Sequence, residues 1–235
     1  MSKINYRGGI SRDEISGELN TTKPIHQSEI GGELEKQYKA ISLILLAAGS
    51  SSRMGQSKQL LLIEGEPLLL RSIKTALTSS LENIAVVLGA EEEKHRSVIA
   101  HLPVQIIYNP TWESGMGSSL KAGLNHLLTI QPHLHAVIIM VCDQPLLTSS
   151  HLDKIITTYK KTKKRIVASY YSNASGVPAL FDKSLFSELL TITDEQGAKK
   201  ILSKYSDTAV AVDFPGGEID LDTWEEYQNF KDKSL

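Results

Sequence analysis

The chain has 235 residues and one cysteine, Cys142, so no disulfide can close within it and a reducing compartment is expected. It has no excess of charge of either sign. Lys and Arg total 25 against 27 for Asp and Glu, which removes the bulk field that nucleic acid or an anionic membrane would require. No apolar run approaches the roughly 20 residues that span a bilayer, and the first residues carry no apolar secretory segment. A soluble, cytoplasmic protein is the expectation. Two nucleotide signatures are missing as well. Neither G-x-x-x-x-G-K-[ST] nor a G-x-G-x-x-G after a strand occurs, which argues against a P-loop enzyme and against a dinucleotide-binding oxidoreductase. What remains is ordinary globular composition, 41% hydrophobic and 22% charged, long enough for one large domain.

Residues 1–38 differ from the rest. They are polar, hold five glycines and show no sustained periodicity, so a flexible arm is expected there, with one catalytic domain over 39–235. Within the arm "EISGEL" and "EIGGEL" nearly repeat. Composition explains this as chance; a docking element for another protein is the sharper alternative. Beyond it, fully apolar runs alternate with amphipathic stretches. Strands are expected at 41–47, 83–89, 104–109, 135–141 and 165–170, and helices at 67–79, 91–102, 116–128 and 149–161. After Tyr171 the rhythm loosens into "GVPALF", two short helices near 183–190 and 196–203, and "TAVAVDF". The pattern predicts an α/β fold with three αβα layers and a mostly parallel sheet.

Open parallel sheets collect ligands at the carboxyl ends of their strands. Strand 41–47 delivers "AAGSSSRMGQSK" to that edge. Gly49 and the serines let main-chain N–H groups approach anionic oxygens, and Arg53 and Lys58 add mobile positive charge, an arrangement suited to a polyphosphate. The bland alternative is a turn with solvated cations. "VCDQP" ends strand 135–141, where Asp143 is a candidate ligand for Mg²⁺ or else a turn aspartate. Cys142 beside it reads as a small buried hydrophobe. In "EIDLDTWEEY", Asp220 and Asp222 alternate with Ile219 and Leu221, so both carboxylates are expected on one face of a short strand; Asp222 or Thr223 also suits a helix cap before Trp224. In "NPTWESGMGSSLKAGL" a helix start offers N–H donors to a ligand, with Ser118 and Ser119 adding hydroxyls. His95, His126 and His151 read as surface or helix-end residues.

In this order the stretches are specific. "LAAGSSSRMGQSKQLL" closely resembles the nucleotide-binding signature of nucleotidyltransferases with a GT-A-like, Rossmann-like α/β fold. "GMGSSLKAGL", "VCDQP", "GVPALF", "DEQGAKKIL" and "DLDTWEEY" resemble the molybdenum cofactor cytidylyltransferases and their MobA-like relatives, a likeness running from about Ile41 to Tyr227. Two positions depart from it: Trp224 stands where the family often has Pro, and Lys199 where it has Arg.

The resemblance implies an Mg²⁺-dependent enzyme that transfers CMP from CTP to the terminal phosphate of molybdopterin, releasing pyrophosphate. It implies catalytic roles for Arg53, Lys58 and Asp143. A nucleotide site would comprise Leu46, Ala47, Ala48, Gly49, Ser50, Arg53, Lys58, Gly89, Ser118, Ser119 and Asp143, and a metal site Asp143 and Asp222 with Asp220 nearby. "LAAG" resembles the pyrimidine-using members, whereas guanylyl relatives carry "LAGG". The alternatives are a GTP- or UTP-using relative with another phosphate acceptor, such as a sugar or isoprenoid-precursor phosphate, or a non-catalytic carrier of the molybdenum cofactor. The expected partners are the small molecules CTP and molybdopterin, with a molybdenum hydroxylase conceivable and a monomer or weak dimer expected.

Overall fold

The structure is a computed structural model, and it describes residues 40–51 and 54–234. The expected arm, its near-repeat and Arg53 lie outside the described residues.

The first strand, β1 (Ile41–Ala47), is buried at every position, as its unbroken apolar run requires. Its side chains divide by parity. Leu43 and Leu45 enter one core with Val86, Leu88, Ile138 and Met140, while Ile44 and Leu46 enter another with Val87, Val137 and Ile139. The sheet therefore has an apolar layer on each face. The first face packs against helices α1 (Leu68–Leu77), α2 (Glu92–Ile99) and α4 (Ser149–Thr162), which supply Leu69, Ile73, Ile99, Leu152 and Ile155. The second packs against α3 (Met116–Ile130), α5 (Phe186–Thr191) and α6 (Lys199–Lys204), which supply Leu120, Leu124, Leu189 and Ile201.

Besides β1 the sheet contains β4 (Asn83–Leu88), β5 (Gln105–Tyr108), β6 (Ala136–Val141), β7 (Ile166–Tyr171), β8 (Ala174–Asp182) and β9 (Val210–Asp213). A two-stranded ladder of β2 (Leu62–Ile63) and β3 (Glu66–Pro67) stands apart. The order is β5-β4-β1-β6-β8-β7-β9, and β8 alone runs against the rest. The chain moves outward from β1 to β4 and β5, then crosses back to place β6 on the other side of β1. The sheet direction switches between β1 and β6, and a crevice opens at their carboxyl ends.

The expected three-layer, mostly parallel α/β architecture is what forms. The looser region after Tyr171 is more regular than the sequence indicated. Tyr171 pairs with Ala174 across Ser172 and Asn173, both at positive φ (48° and 58°), so β7 and β8 form a tight hairpin of the primed type. Ser-Asn lacks the glycine that usually marks such a turn, which is why the hairpin was not anticipated.

A third, small apolar cluster joins Met54, Leu61, Ile63 and Leu68 to Leu221 and Tyr227, and so brings the last helix, α7 (Trp224–Ser234), against the segment that follows β1. Tyr227 donates from its hydroxyl to the Leu62 carbonyl at 2.9 Å. Among the described residues no helix is long and apolar enough to cross a membrane.

Candidate active site

The carboxyl ends of β1 and β6 and the start of α3 enclose a cleft of about 300 Å³. Leu46, Ala47, Ala48, Gly49 and Ser50 line it from the end of β1 and the loop after it, Lys58 from the following turn, and Val141, Cys142 and Asp143 from the end of β6 and just beyond. Gly115, Met116 and Ser119 close the helix side. Eight of the expected nucleotide residues therefore meet in one cavity: the five at the end of β1 and just after it, Lys58, Ser119 and Asp143.

Lys58 joins the two acidic stretches. Its Nζ lies 2.6 Å from Asp143 Oδ2 and 2.8 Å from Asp222 Oδ1, positions 85 and 164 residues away in sequence. The lysine and Asp143 side chains are only 16% and 19% exposed. Burial alone would lower the Lys58 pKa, but Asp143 and Asp222 more than offset it and hold the ammonium well above its ordinary value. Asp220 lies within the same field. Burial, then the Asp222 and Asp143 charges, push its carboxyl above the usual range.

Asp222 reaches this point through a specific anchor. Leu221 is fully buried in the third cluster, and its N–H donates to the Asp143 carbonyl at 3.2 Å. The helix cap falls to the next residue. Thr223 Oγ1 accepts from the Glu226 N–H at 3.2 Å while Glu226 accepts from the Thr223 N–H at 2.7 Å, a reciprocal capping box. The cap reading of "DLDTWEEY" therefore falls to Thr223, while Asp222 turns its carboxylate to Lys58. The expected short strand does not form. Residues 219–222 join no ladder, because their main chain is held by single contacts rather than by a neighbouring strand.

Other expected residues sit near the cleft without lining it. Ser118 is buried, with its hydroxyl within 2.9 Å of the Thr111 carbonyl and 2.8 Å of the Gly115 carbonyl, and it accepts from Asn109 Nδ2 at 2.9 Å. Asn109 also donates to Ser119 at 3.0 Å and so aligns the two hydroxyls. Gly89 is packed behind the site, where a Cβ would approach Trp112 Cβ to 2.5 Å and the Ala48 carbonyl to 2.7 Å.

The start of α3 is not an open donor array. The Gly117 N–H donates to the Asp194 carbonyl at 2.7 Å, so the "DEQG" loop caps this helix. Gly115, at φ +127°, allows that approach; a Cβ there would lie 2.3 Å from the same carbonyl. The expectation that these N–H groups meet a ligand is corrected to that extent.

Two histidines also differ from expectation. His95 and His151 are 1% and 7% exposed rather than superficial, and each ring has a hydroxyl partner: half-buried Ser57 at 2.6 Å and buried Ser169 at 2.8 Å. Cys142 is buried as expected, with its thiol pushed up to about 12, chiefly by desolvation and then by Asp143, which disfavours the thiolate. Sequence reasoning missed Gln59, Trp112, Glu113 and Met116, all of which line the cleft. "TWESGM" held a signal for three of them, since it follows a strand end on the same sheet edge.

A model of the MobA-like NTP transferase domain matches residues 43–209. The chain belongs to this family. Among relatives of this MobA-like protein, purine catabolism protein PucB of Bacillus subtilis (strain 168) is 29% identical over 197 residues, 78% of this chain and 92% of that one. Nicotine blue oxidoreductase of Paenarthrobacter nicotinovorans is 28% identical over 174 residues, 68% of this chain and 79% of that one. Molybdenum cofactor cytidylyltransferase of Escherichia coli (strain K12) is 27% identical over 195 residues, 83% of this chain and 97% of that one. The structure of Rv0371c from Mycobacterium tuberculosis H37Rv has the same fold, with a TM-score of 0.71 at 24% identity over 83% of this chain and 99% of that one. The matched family span of this MobA-like nucleotidyltransferase includes Lys58 and Asp143 but ends before Asp222. The third member of the charged cluster is therefore contributed from beyond the domain match.

Proposed function

We propose that the protein transfers CMP from CTP to the terminal phosphate of molybdopterin. One observation carries this reading: Lys58 binds Asp143 and Asp222 together at the mouth of the cleft between β1 and β6. A cationic side chain and two convergent carboxylates beside a small-residue loop match what phosphoanhydride chemistry demands. Ala48 lines the cleft and its methyl narrows the space for a base, which favours a pyrimidine.

The donor set is suited to a divalent metal. Two carboxylates within reach of one ammonium nitrogen converge on a single cation position, and hard carboxylate oxygens suit Mg²⁺. Among the described residues no group of three or more acidic, histidine or cysteine side chains could hold a metal, so phosphate and water oxygens would complete its shell. Asp143 and Asp222 would hold the ion, with Asp220 adding negative field. When bound, Mg²⁺ neutralises phosphate charge and orients the α-phosphate.

The acceptor phosphate is largely dianionic near neutrality, its second pKa being about 6, so it needs little help from a base. Its oxygen forms a bond to the α-phosphorus, and the bond from that phosphorus to the bridging oxygen of pyrophosphate breaks. Lys58, released from its carboxylates, neutralises charge gathering on the departing pyrophosphate. Main-chain N–H groups of residues 48–50 bind the same oxygens, and Arg53 would join them. Ser119 holds the nucleotide from the helix side.

The test is pyrophosphate release from CTP, GTP, UTP and ATP, each with Mg²⁺ and molybdopterin. Release with CTP above the other three is expected. Equal or greater release with GTP overturns the base assignment, and no release with any of the four overturns the acceptor.

A further inference from the structure

Gln59 is buried to 1% exposure directly behind the loop that follows β1, in a short turn beginning at Lys58. Its amide has two donors and two acceptor positions, and all four are engaged. Nε2 donates to the Gly49 carbonyl at 2.8 Å and to the Ala47 carbonyl at 3.3 Å. Oε1 accepts from Ser57 Oγ at 2.9 Å and from Ser51 Oγ at 3.1 Å. Rotating the amide by half a turn would set its oxygen against two carbonyls, so this orientation is fixed. Ser57 has one hydroxyl proton, which belongs to Gln59; His95 Nε2, 2.6 Å away, therefore donates to Ser57. Ser51 in turn accepts the Lys58 N–H at 3.0 Å.

All four of its partners are in residues 47–57, a segment whose first four residues, Ala47 to Ser50, line the cleft. Trans peptides place each N–H opposite the preceding carbonyl. With the Ala47 and Gly49 carbonyls drawn toward Gln59, the N–H groups of Ala48 and Ser50, both cleft-lining residues, point away from it. Ser51 sits at φ +53°, an uncommon conformation for a residue with a Cβ, and its hydroxyl is held at both ends of this network.

We infer that Gln59 is a positioning residue for nucleotide binding: its amide sets the loop conformation in which main-chain N–H groups and Lys58 face the phosphates. This rests on the nucleotide reading of the cleft. A side chain that merely filled space would be replaceable by Met. A side chain that orients the loop would not be, and a carboxyl group of the same length would restore only part of its function. An ionised carboxylate in that place repels the Ala47 and Gly49 carbonyls, whereas a protonated one donates to a single carbonyl, and burial raises its pKa toward that form.

The experiment is titration calorimetry of Mg²⁺-CTP with wild type, Gln59→Met and Gln59→Glu between pH 6 and 8, with circular dichroism melts of each. The expectation is a Kd raised at least about tenfold by Gln59→Met while the fold is retained. Gln59→Glu is expected to bind worse at pH 8 and to recover severalfold by pH 6, relative to wild type at each pH. Wild-type affinity in both variants overturns the inference. So does weakened binding that only follows loss of folded protein in the melts, which would make Gln59 a stability residue. A wild type that binds none of CTP, GTP, UTP or ATP overturns the nucleotide reading itself, and with it this one.

Discussion

The two sides of the cleft are built on opposite plans. The cationic side is one continuous stretch, from Leu46 to Gln59, whose hydrogen bonds close largely upon itself. The acidic side is assembled from distant pieces. Asp143 follows the end of β6 by two residues, while Asp222 arrives after the last strand of the sheet, beside buried Leu221 whose N–H bonds the Asp143 carbonyl. A local loop tolerates drift elsewhere in the fold. A discontinuous site depends on whatever pins its ends together, so the two sides are expected to fail differently.

The largest effect should come from the acidic side. Asp143→Ala removes one of the two carboxylates at the proposed metal position, and loss of one preorganised charge stabiliser costs roughly 3–4 kcal/mol of activation energy, or about a hundred- to a thousandfold in kcat. Thermal melting should stay near wild type. Lys58→Ala on the cationic side should fall in the same range by another route, since it leaves Asp143 and Asp222 facing each other without their shared ammonium. Pyrophosphate-release rates for the two variants against Mg²⁺ concentration separate the sides. The Asp143 variant should need more Mg²⁺, and the Lys58 variant should not. If both respond alike, the division between metal-holding and leaving-group residues collapses.

Leu221→Ala probes the pin rather than the charges. Leu221 is fully buried, and Leu→Ala in such a place costs about 2–5 kcal/mol of stability. The same change should loosen Asp222, so kcat should fall at least tenfold under conditions where urea titration shows the variant still folded. On the loop side the polar network around Gln59 takes the place of such an apolar pin. Full turnover by folded Leu221→Ala would show that Asp222 reaches Lys58 without its buried neighbour.

This asymmetry also governs what the sequence could disclose. The loop side was legible because its signal is contiguous: an apolar strand, then Gly and Ser, then cations, placed by the sheet-edge rule. The strands of β1, β4 and β6 were equally plain, since burial on both faces writes an unbroken apolar run. Alternation with Ile219 and Leu221 offered Asp220 and Asp222 alike, resemblance favoured Asp222, and its route to Lys58 beside buried Leu221 is a tertiary contact that no periodicity records. Gln59 was invisible because a polar residue beside a lysine reads as solvated until its four partners are seen. The Asp194 cap on α3 was hidden for the same reason, a carbonyl from 77 residues on replacing the expected ligand. His151 stands at a helix end as expected, but its burial and that of His95 were not foreseen, because helix periodicity says which face is buried only when that face is apolar.

His151 gives the smallest and most specific prediction. Its ring stacks on Phe214 with centroids 4.5 Å apart, and Nε2 lies 2.8 Å from Ser169 Oγ. Ser169 donates its own proton to the Pro178 carbonyl at 2.6 Å, so His151 must donate to Ser169 and is held as the neutral Nε2–H form. Desolvation first, then the nearby Lys154 charge, depresses its pKa to about 4. The unfolded chain would titrate near 6.5, so as pH falls below that value the unfolded state gains a proton that the native state refuses. Stability is therefore full above about pH 6.5 and declines toward pH 4, by roughly 1–3 kcal/mol after allowance for partial solvent screening. His151→Gln has no such proton to gain. Its urea-derived stability should be lower than wild type at pH 7.5, and the deficit should narrow by about 1 kcal/mol or more at about pH 5, before most carboxylates begin to titrate. A gap between the two proteins that stays constant across that range would mean that His151 is not held neutral.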